Sequence, residues 1–196
     1  MASAEDSNNS LDGVGNSSGR SNAAGGGVDA SCWTIAADAV VSSHATLIGR
    51  ITVGASTIIH PKATIDAGDG EIILGSHNIV EEMATIENLE PDTVMRIGND
   101  NLFEVGSICY AKRVGDNNVF GIKSEVGRGV TVPDGCQLGP RCQLIDQTPM
   151  PSNTVVYTGN NLRRTASERP NQRSQAEFLK KLLPKYMNTV QNVQPK

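Results

Sequence analysis

Aromatic side chains are scarce in this chain: one Trp, three Tyr and three Phe among 196 residues, or 4%. That excludes a thick core built on large rings and fits a thin core of short strands. Long apolar runs are also missing, and residues 1–30 are rich in Ser, Asn, Gly and Ala with no basic stretch leading into an apolar one. Neither a signal peptide nor a transmembrane span is therefore expected, and 1–30 is predicted to be disordered. Metal-site spacing is absent from the four cysteines, Cys32, Cys109, Cys136 and Cys142. All but Cys32 read as reduced core residues of a cytosolic protein.

What the chain does have is a period of six. An apolar residue recurs at Ile35, Val41, Leu47, Val53, Ile59 and Ile65, then at Leu74, Val80 and Ile86, and then at Ile97, Phe103 and Cys109. It continues through Val114, Phe120, Val126, Val132, Leu138, Leu144, Met150 and Val156. Six residues match neither a 3.6-residue helix nor a two-residue strand alternation. They match the hexapeptide repeat of a parallel β-helix, one short strand and one corner per hexad. The second position is often Gly (Gly54, Gly75, Gly98, Gly115), where a side chain would hinder a tight bend. The third and fourth carry turn residues such as Asn99-Asp100 and Asp116-Asn117, and the fifth is mostly small.

Three hexads close one triangular coil, so the twenty apolar positions predict six to seven coils. Residues three hexads apart then stack into three walls. Phe103 and Phe120 fall in successive coils of the second wall, and Asn78, Asn101 and Asn118 form one column suited to an amide ladder. The register breaks after Ile65, Ile86 and Cys109, always at the same edge of the prism. Two irregular loops, 66–73 and 87–96, are predicted there, carrying Asp66, Asp69, Glu71, Glu87, Glu90 and Asp92. Loops on a regular scaffold are where recognition usually sits, so this acidic edge is the candidate partner contact.

Charge divides the chain. Residues 31–161 hold 8 basic and 15 acidic residues, whereas 162–196 hold 8 basic and 2 acidic. Ser174-Gln175-Ala176-Glu177 reads as a capping box opening an amphipathic helix with Leu179, Leu182, Leu183, Tyr186, Met187 and Val190, which Pro184 should end or kink near Leu183. A basic tail of this kind could bind nucleic acid or membrane. It is short, however, and the reading adopted is that it lies on its own acidic prism, with no nucleic-acid partner and no membrane insertion. The predicted organisation is a low-complexity segment 1–30, a β-helix 31–161, a connector and helix 162–190, and a flexible tail 191–196. Pro149, Pro151 and the helix are expected to guard the C-terminal end of the prism.

Hexapeptide β-helices are often enzymes. This chain resembles the γ-class carbonic anhydrases at Ile48-Gly49-Arg50, at Asn78-Ile79-Val80-Glu81 and over 97–115. That resemblance implies zinc held by three His, but the ligand positions fall on Ile86, Val105 and Tyr110, which cannot replace them. His44, His60 and His77 belong to different coils and do not converge. They give equally little support to the His general base of hexapeptide acyltransferases. No metal, cofactor or catalytic residue is assigned.

A second resemblance covers about residues 33–187. The stretches IILGSHNIVEEMATIEN at 72–88, IGNDNLFEVGSICYAKRVGDNNVF at 97–120 and VGRGVTVPDGCQLGPRCQL at 126–144 are similar to the dynactin subunit 6 family. So are Ile59-His60-Pro61-Lys62-Ala63 and 153–186, where Leu162-Arg163-Arg164, Glu168-Arg169-Pro170 and the helix are the most specific match. The resemblance implies a left-handed coil, an exception to the right-handed crossover rule. It implies a non-catalytic subunit at the pointed end of dynactin's actin-like filament, supporting dynein-based transport on microtubules. The implied partners are dynactin subunit 5, an actin-related protein and a larger zinc-binding subunit, in the cytoplasm on the cytoskeleton and at kinetochores in mitosis. A regulatory Thr of the family would fall on Thr189. The N-terminal segment departs from the family pattern, and the loop 88–96 is short for it.

Overall fold

The computed structural model describes residues 33–157 and 162–190. The segment 1–30, Cys32 and the tail 191–196 lie outside the described residues. The described residues wind into a parallel β-solenoid of about seven coils with one short C-terminal helix. The predicted stacking is observed partner by partner, except that Met150, expected to follow Val132 on the first wall, is buried without a strand partner there among the described residues. Ile35, Val53, Leu74, Ile97, Val114 and Val132 pair in succession along the first wall. Val41, Ile59, Val80, Phe103, Phe120, Leu138 and Val156 do so along the second. Leu47, Ile65, Ile86, Cys109, Val126 and Leu144 form the third. With these side chains turned inward, the core is a single apolar column running the length of the prism.

Corners repeat as strictly as walls. Between the first and second walls the fourth hexad position has positive φ in coil after coil, at Ser56, His77, Asp100, Asn117 and Asn153, with values of 54° to 61°. Lys62, Met83, Lys123 and Arg141 do the same at the next corner. A left-handed residue with a Cβ costs roughly 1–2 kcal/mol, so these corners are held by the ladders on either side. The second-position glycines have a different reason from the bend that the sequence implied. A Cβ on Gly75 or Gly98 would lie 2.6 or 2.7 Å from the carbonyl oxygen of the corresponding glycine in the next coil. Close stacking of coils, rather than φ, demands Gly there.

Buried amides line the same corner. Asn101 donates its Nδ2 to Asn78 Oδ1 at 3.0 Å, and its own Oδ1 accepts from the Asn118 backbone at 2.9 Å. Asn118 Oδ1 accepts in turn from Cys136 N at 2.7 Å. Each amide oxygen thus satisfies a backbone N–H of the next coil, as buried backbone donors require.

The tail folds back along the prism. Helix α1 (Arg173–Leu182) ends one residue before a 3-10 turn at Leu183–Lys185 that contains Pro184, as predicted. Its start differs: Gln172 is the N-cap residue without a side-chain bond, and Ser174 already lies inside the helix. Asn171 Oδ1 instead accepts from Arg173 N at 3.2 Å, so the capping box does not form. Ala176, Leu179, Leu183 and Met187 pack on Val40, Ile58, Ile79 and Leu102, which face outward from the second wall. The helix therefore lies lengthwise on that wall rather than across the prism end, because only there does its apolar stripe find apolar cover.

Both ends of the second wall are closed by the tail. Leu162–Thr165 pairs antiparallel with Thr154–Tyr157 at one end. At the other, Ser43 N donates to Asn188 O at 2.9 Å, Val190 N donates to Val41 O at 2.8 Å, and Ser42 forms an antiparallel bridge with Thr189. Among the described residues, the other two walls stop on Thr131–Val132 and Gln143–Leu144.

Candidate functional site

The irregular edge lies between the third and first walls, where the sequence placed it, but only one of the two predicted loops is a loop. Residues 66–73 belong to an unbroken strand, Thr64–Leu74, that turns the corner and pairs with Thr46–Val53, with a register shift between Ile48 and Arg50. Ala67 and Ile72 within it are fully buried. The inserted residues bulge the strand because both sides of the corner remain in register with the coils above and below. The second insertion does form a loop, shortened to 88–93 by strand at both ends.

Asn88 joins these two features, although nothing in its local sequence context marks it out. At 8% exposure, it donates Nδ2 to the carbonyls of Glu71 and Thr93 at 3.2 and 3.1 Å, and its Oδ1 accepts from Glu90 N at 3.1 Å. Its backbone N–H donates to Asp66 O at 2.8 Å. A Cβ on Gly70 would collide with the Asn88 amide, so Gly70 is the space this side chain occupies.

The six predicted acidic residues come together on this edge. Asp66 and Glu87 are direct cross-strand partners, and Glu71 stands opposite Arg50 on one side and Val94 on the other. Asp69 and Asp92 are exposed, Asp92 at a loop position with φ of 56°. Asp66 Oδ1 accepts from Gly68 N at 2.8 Å. Glu90 is already engaged, because Arg128 Nε donates to it at 2.6 Å and holds its carboxyl below the ordinary range. Like charges directly opposite, as at Asp66 and Glu87, destabilise a sheet slightly. Burial and then the nearby Glu87 and Glu125 carboxylates raise the Tyr110 phenol.

Sequence reasoning missed the opposite charge beside this edge. Arg96, Lys112 and Arg113 are exposed and border a groove of about 680 Å³ that Asn88, Glu90 and Gln147 also line. Their spacing along the chain hid them, since they meet only once the coils stack.

The positions matching carbonic anhydrase ligands are spread apart. Ile86 is fully buried in the third wall, Val105 sits at the corner between the second and third walls, and Tyr110 follows Cys109 near Glu87. Val105 N donates to Glu81 Oε2 at 3.1 Å. Burial pushes the neighbouring Cys109 thiol up to about 12, so it fills space as a neutral group. His60 Nδ1 lies 2.9 Å from Glu82 and His77 Nε2 3.7 Å from Glu177, each in a separate local contact. Among the described residues, no cluster of His, Cys, Asp or Glu is arranged to hold a metal, and no helix is long and apolar enough to cross a membrane.

No protein-family model matches the chain. Against curated proteins, it is 45% identical over 164 residues to dynactin subunit 6 of Danio rerio, covering 78% of this chain and 84% of that protein. It is 43% identical over 163 residues to dynactin subunit 6 of Nematostella vectensis, covering 78% and 89%. Among solved structures it is similar to a hexapeptide transferase family protein from Anaplasma phagocytophilum, with a TM-score of 0.67 over 79% of this chain and 93% of that one. Sequence identity there is 16%, so this likeness speaks for the coil alone.

Proposed function

Because the chain belongs to the dynactin subunit 6 family, we propose that it is a non-catalytic structural subunit of dynactin. In this reading it helps form the pointed-end complex of the actin-like filament and so supports dynein-based cargo transport along microtubules. The observation that carries the proposal is the identity with the curated dynactin subunits over 163–164 residues. The replacement of all three zinc-ligand positions by Ile86, Val105 and Tyr110 supports the non-catalytic part of it. Dynactin subunit 5, an actin-related protein and a larger zinc-binding subunit are its proposed neighbours. A cytoplasmic, cytoskeleton-associated location, with kinetochores in mitosis, goes with that assembly.

The edge carrying Asp66, Asp69, Glu71, Glu87, Glu90 and Asp92 is the proposed contact with the paired β-helix or the filament end. Removing the whole of 66–73 cannot test it, since Ala67 and Ile72 are core residues. Surface neutralisation can. Full-length tagged protein purified from cells should bring down dynactin subunit 5 and the other pointed-end subunits, identified by mass spectrometry. Asp66→Asn, Asp69→Asn, Glu87→Gln and Asp92→Asn together should lower that recovery while the isolated protein melts as before. Co-purification without any dynactin subunit would overturn the functional reading; unchanged recovery of the quadruple variant would move the contact elsewhere on the prism.

A further inference from the structure

From the basic groove beside that edge, we infer a second docking site, one for a short acidic peptide segment of a partner protein. Outward-facing residues of the first wall form the column Thr34, Thr52, Ile73, Arg96, Arg113 and Thr131, each a direct partner of the next. Four of the six are β-branched, as suits a strand position. The other two are arginines placed directly opposite one another, an arrangement that costs stability in a sheet. Neither has an ion-pair partner among the described residues, and nor does Lys112. Glu90, the carboxylate bordering the same groove, is taken by Arg128 at 2.6 Å. Glu71, opposite Val94 on the neighbouring strand, forms no ion pair with them either.

Three unpaired cations around a concavity of about 680 Å³, in a coil region of net negative charge, form a local anion-binding surface. Coils stack at about 4.8 Å, so the two guanidiniums stand one coil apart and offer paired donors to successive carboxylates. The site is too short for a nucleic acid, whose binding needs a track of many phosphate contacts. The carboxylates of Asp66, Asp69 and Glu87 on the same edge would also repel a long polyanion. Val94, exposed on the groove rim, offers apolar contact to an adjoining side chain. A protein segment with two or three acidic residues fits these features. This inference is independent of the acidic-edge contact and of the identity of the assembly.

The test compares the full-length protein with Arg96→Thr, Arg113→Thr, which places in these two coils the residue that the column carries elsewhere. A fluorescein-labelled hexaglutamate peptide is titrated by anisotropy at ~0.15 M salt, and thermal melts are recorded in parallel. The expected result is at least about tenfold weaker peptide binding with an equal or higher melting temperature, while Arg163→Glu, Arg164→Glu in the tail leaves binding unchanged. The inference is overturned if the peptide does not bind, if both variants weaken it equally, or if the Thr variant binds as well as the parent. It is also overturned if oligouridine binds more tightly than the peptide, or if millimolar inorganic phosphate displaces it, since the site would then be one for phosphate.

Discussion

Phe103 and Phe120 stack with ring centroids 4.5 Å apart and planes within 6° of parallel. Free aromatic pairs prefer offset or edge-on geometry; here the in-register ladder leaves no choice, because both rings leave equivalent positions on successive coils. The same constraint acts on Asn78, Asn101 and Asn118, whose amides each serve the coil next in line. A residue in such a column is judged by its neighbours above and below. Phe120→Asp should therefore unfold the domain, since an unpaired carboxylate buried in a dry column costs several kcal/mol. Circular dichroism of the variant checks this, and a soluble Asp protein with the parent melting curve would refute the column. The residues matching zinc ligands lead to a second expectation. Purified protein should carry no stoichiometric zinc, and elemental analysis finding about one zinc per chain would revive the carbonic anhydrase reading.

Helix α1 meets the prism by a coincidence of two periods. Arg173 pairs with Asp100, Glu177 approaches His77, and Lys180 reaches Ser56 and Asp38. Those four partners occupy the same corner position in four consecutive coils. Three to four helical residues rise about 5 Å, close to the coil spacing of about 4.8 Å, so one helical turn advances by one coil. The Lys180 hydrogen bond, then that of Ser56, holds the Asp38 carboxyl well below its ordinary value of 3.8. Asp38 in turn raises Lys180 above 10.5. The contribution of Asp38 is present above pH 3.8 and lost as pH falls through its lowered value; that of Lys180 is present below 10.5 and lost as pH rises through its raised one. Lys180→Met should thus loosen α1 throughout the range between, by about 0.2–1 kcal/mol since the pair is exposed. Hydrogen exchange over 173–187 measures it, and protection equal to the parent at neutral pH would contradict the pairing. Of this arrangement, the sequence showed the walls, the helix and its end at Pro184, because each follows from local periodicity. It did not show that 66–73 stays in strand, that Asn88 pins the edge, or that Arg96 meets Arg113. Those depend on which coil lies above which insertion, and on side chains 17 or more residues apart.

Stacked repeats touch only their neighbours, so their stability is a sum of local terms and their ends fray. In this molecule the tail contradicts that simple picture. The strand Val40–Val41, which opens the second wall, receives its edge partner from residues 188–190. Deleting 188–196 should therefore raise exchange over 33–47 while leaving 97–144 protected. Equal protection of both regions would show that the first coil needs no such partner. The arrangement also has a consequence for synthesis. An N-terminal coil can form as it leaves the ribosome, but its exposed edge waits for residue 190, on the order of 10–30 s later at ordinary elongation rates. Through that interval an uncovered parallel strand faces the crowded cytosol, and a chain released early carries it permanently. Nascent and truncated copies should be the aggregation-prone forms of this protein, and finished ones should not.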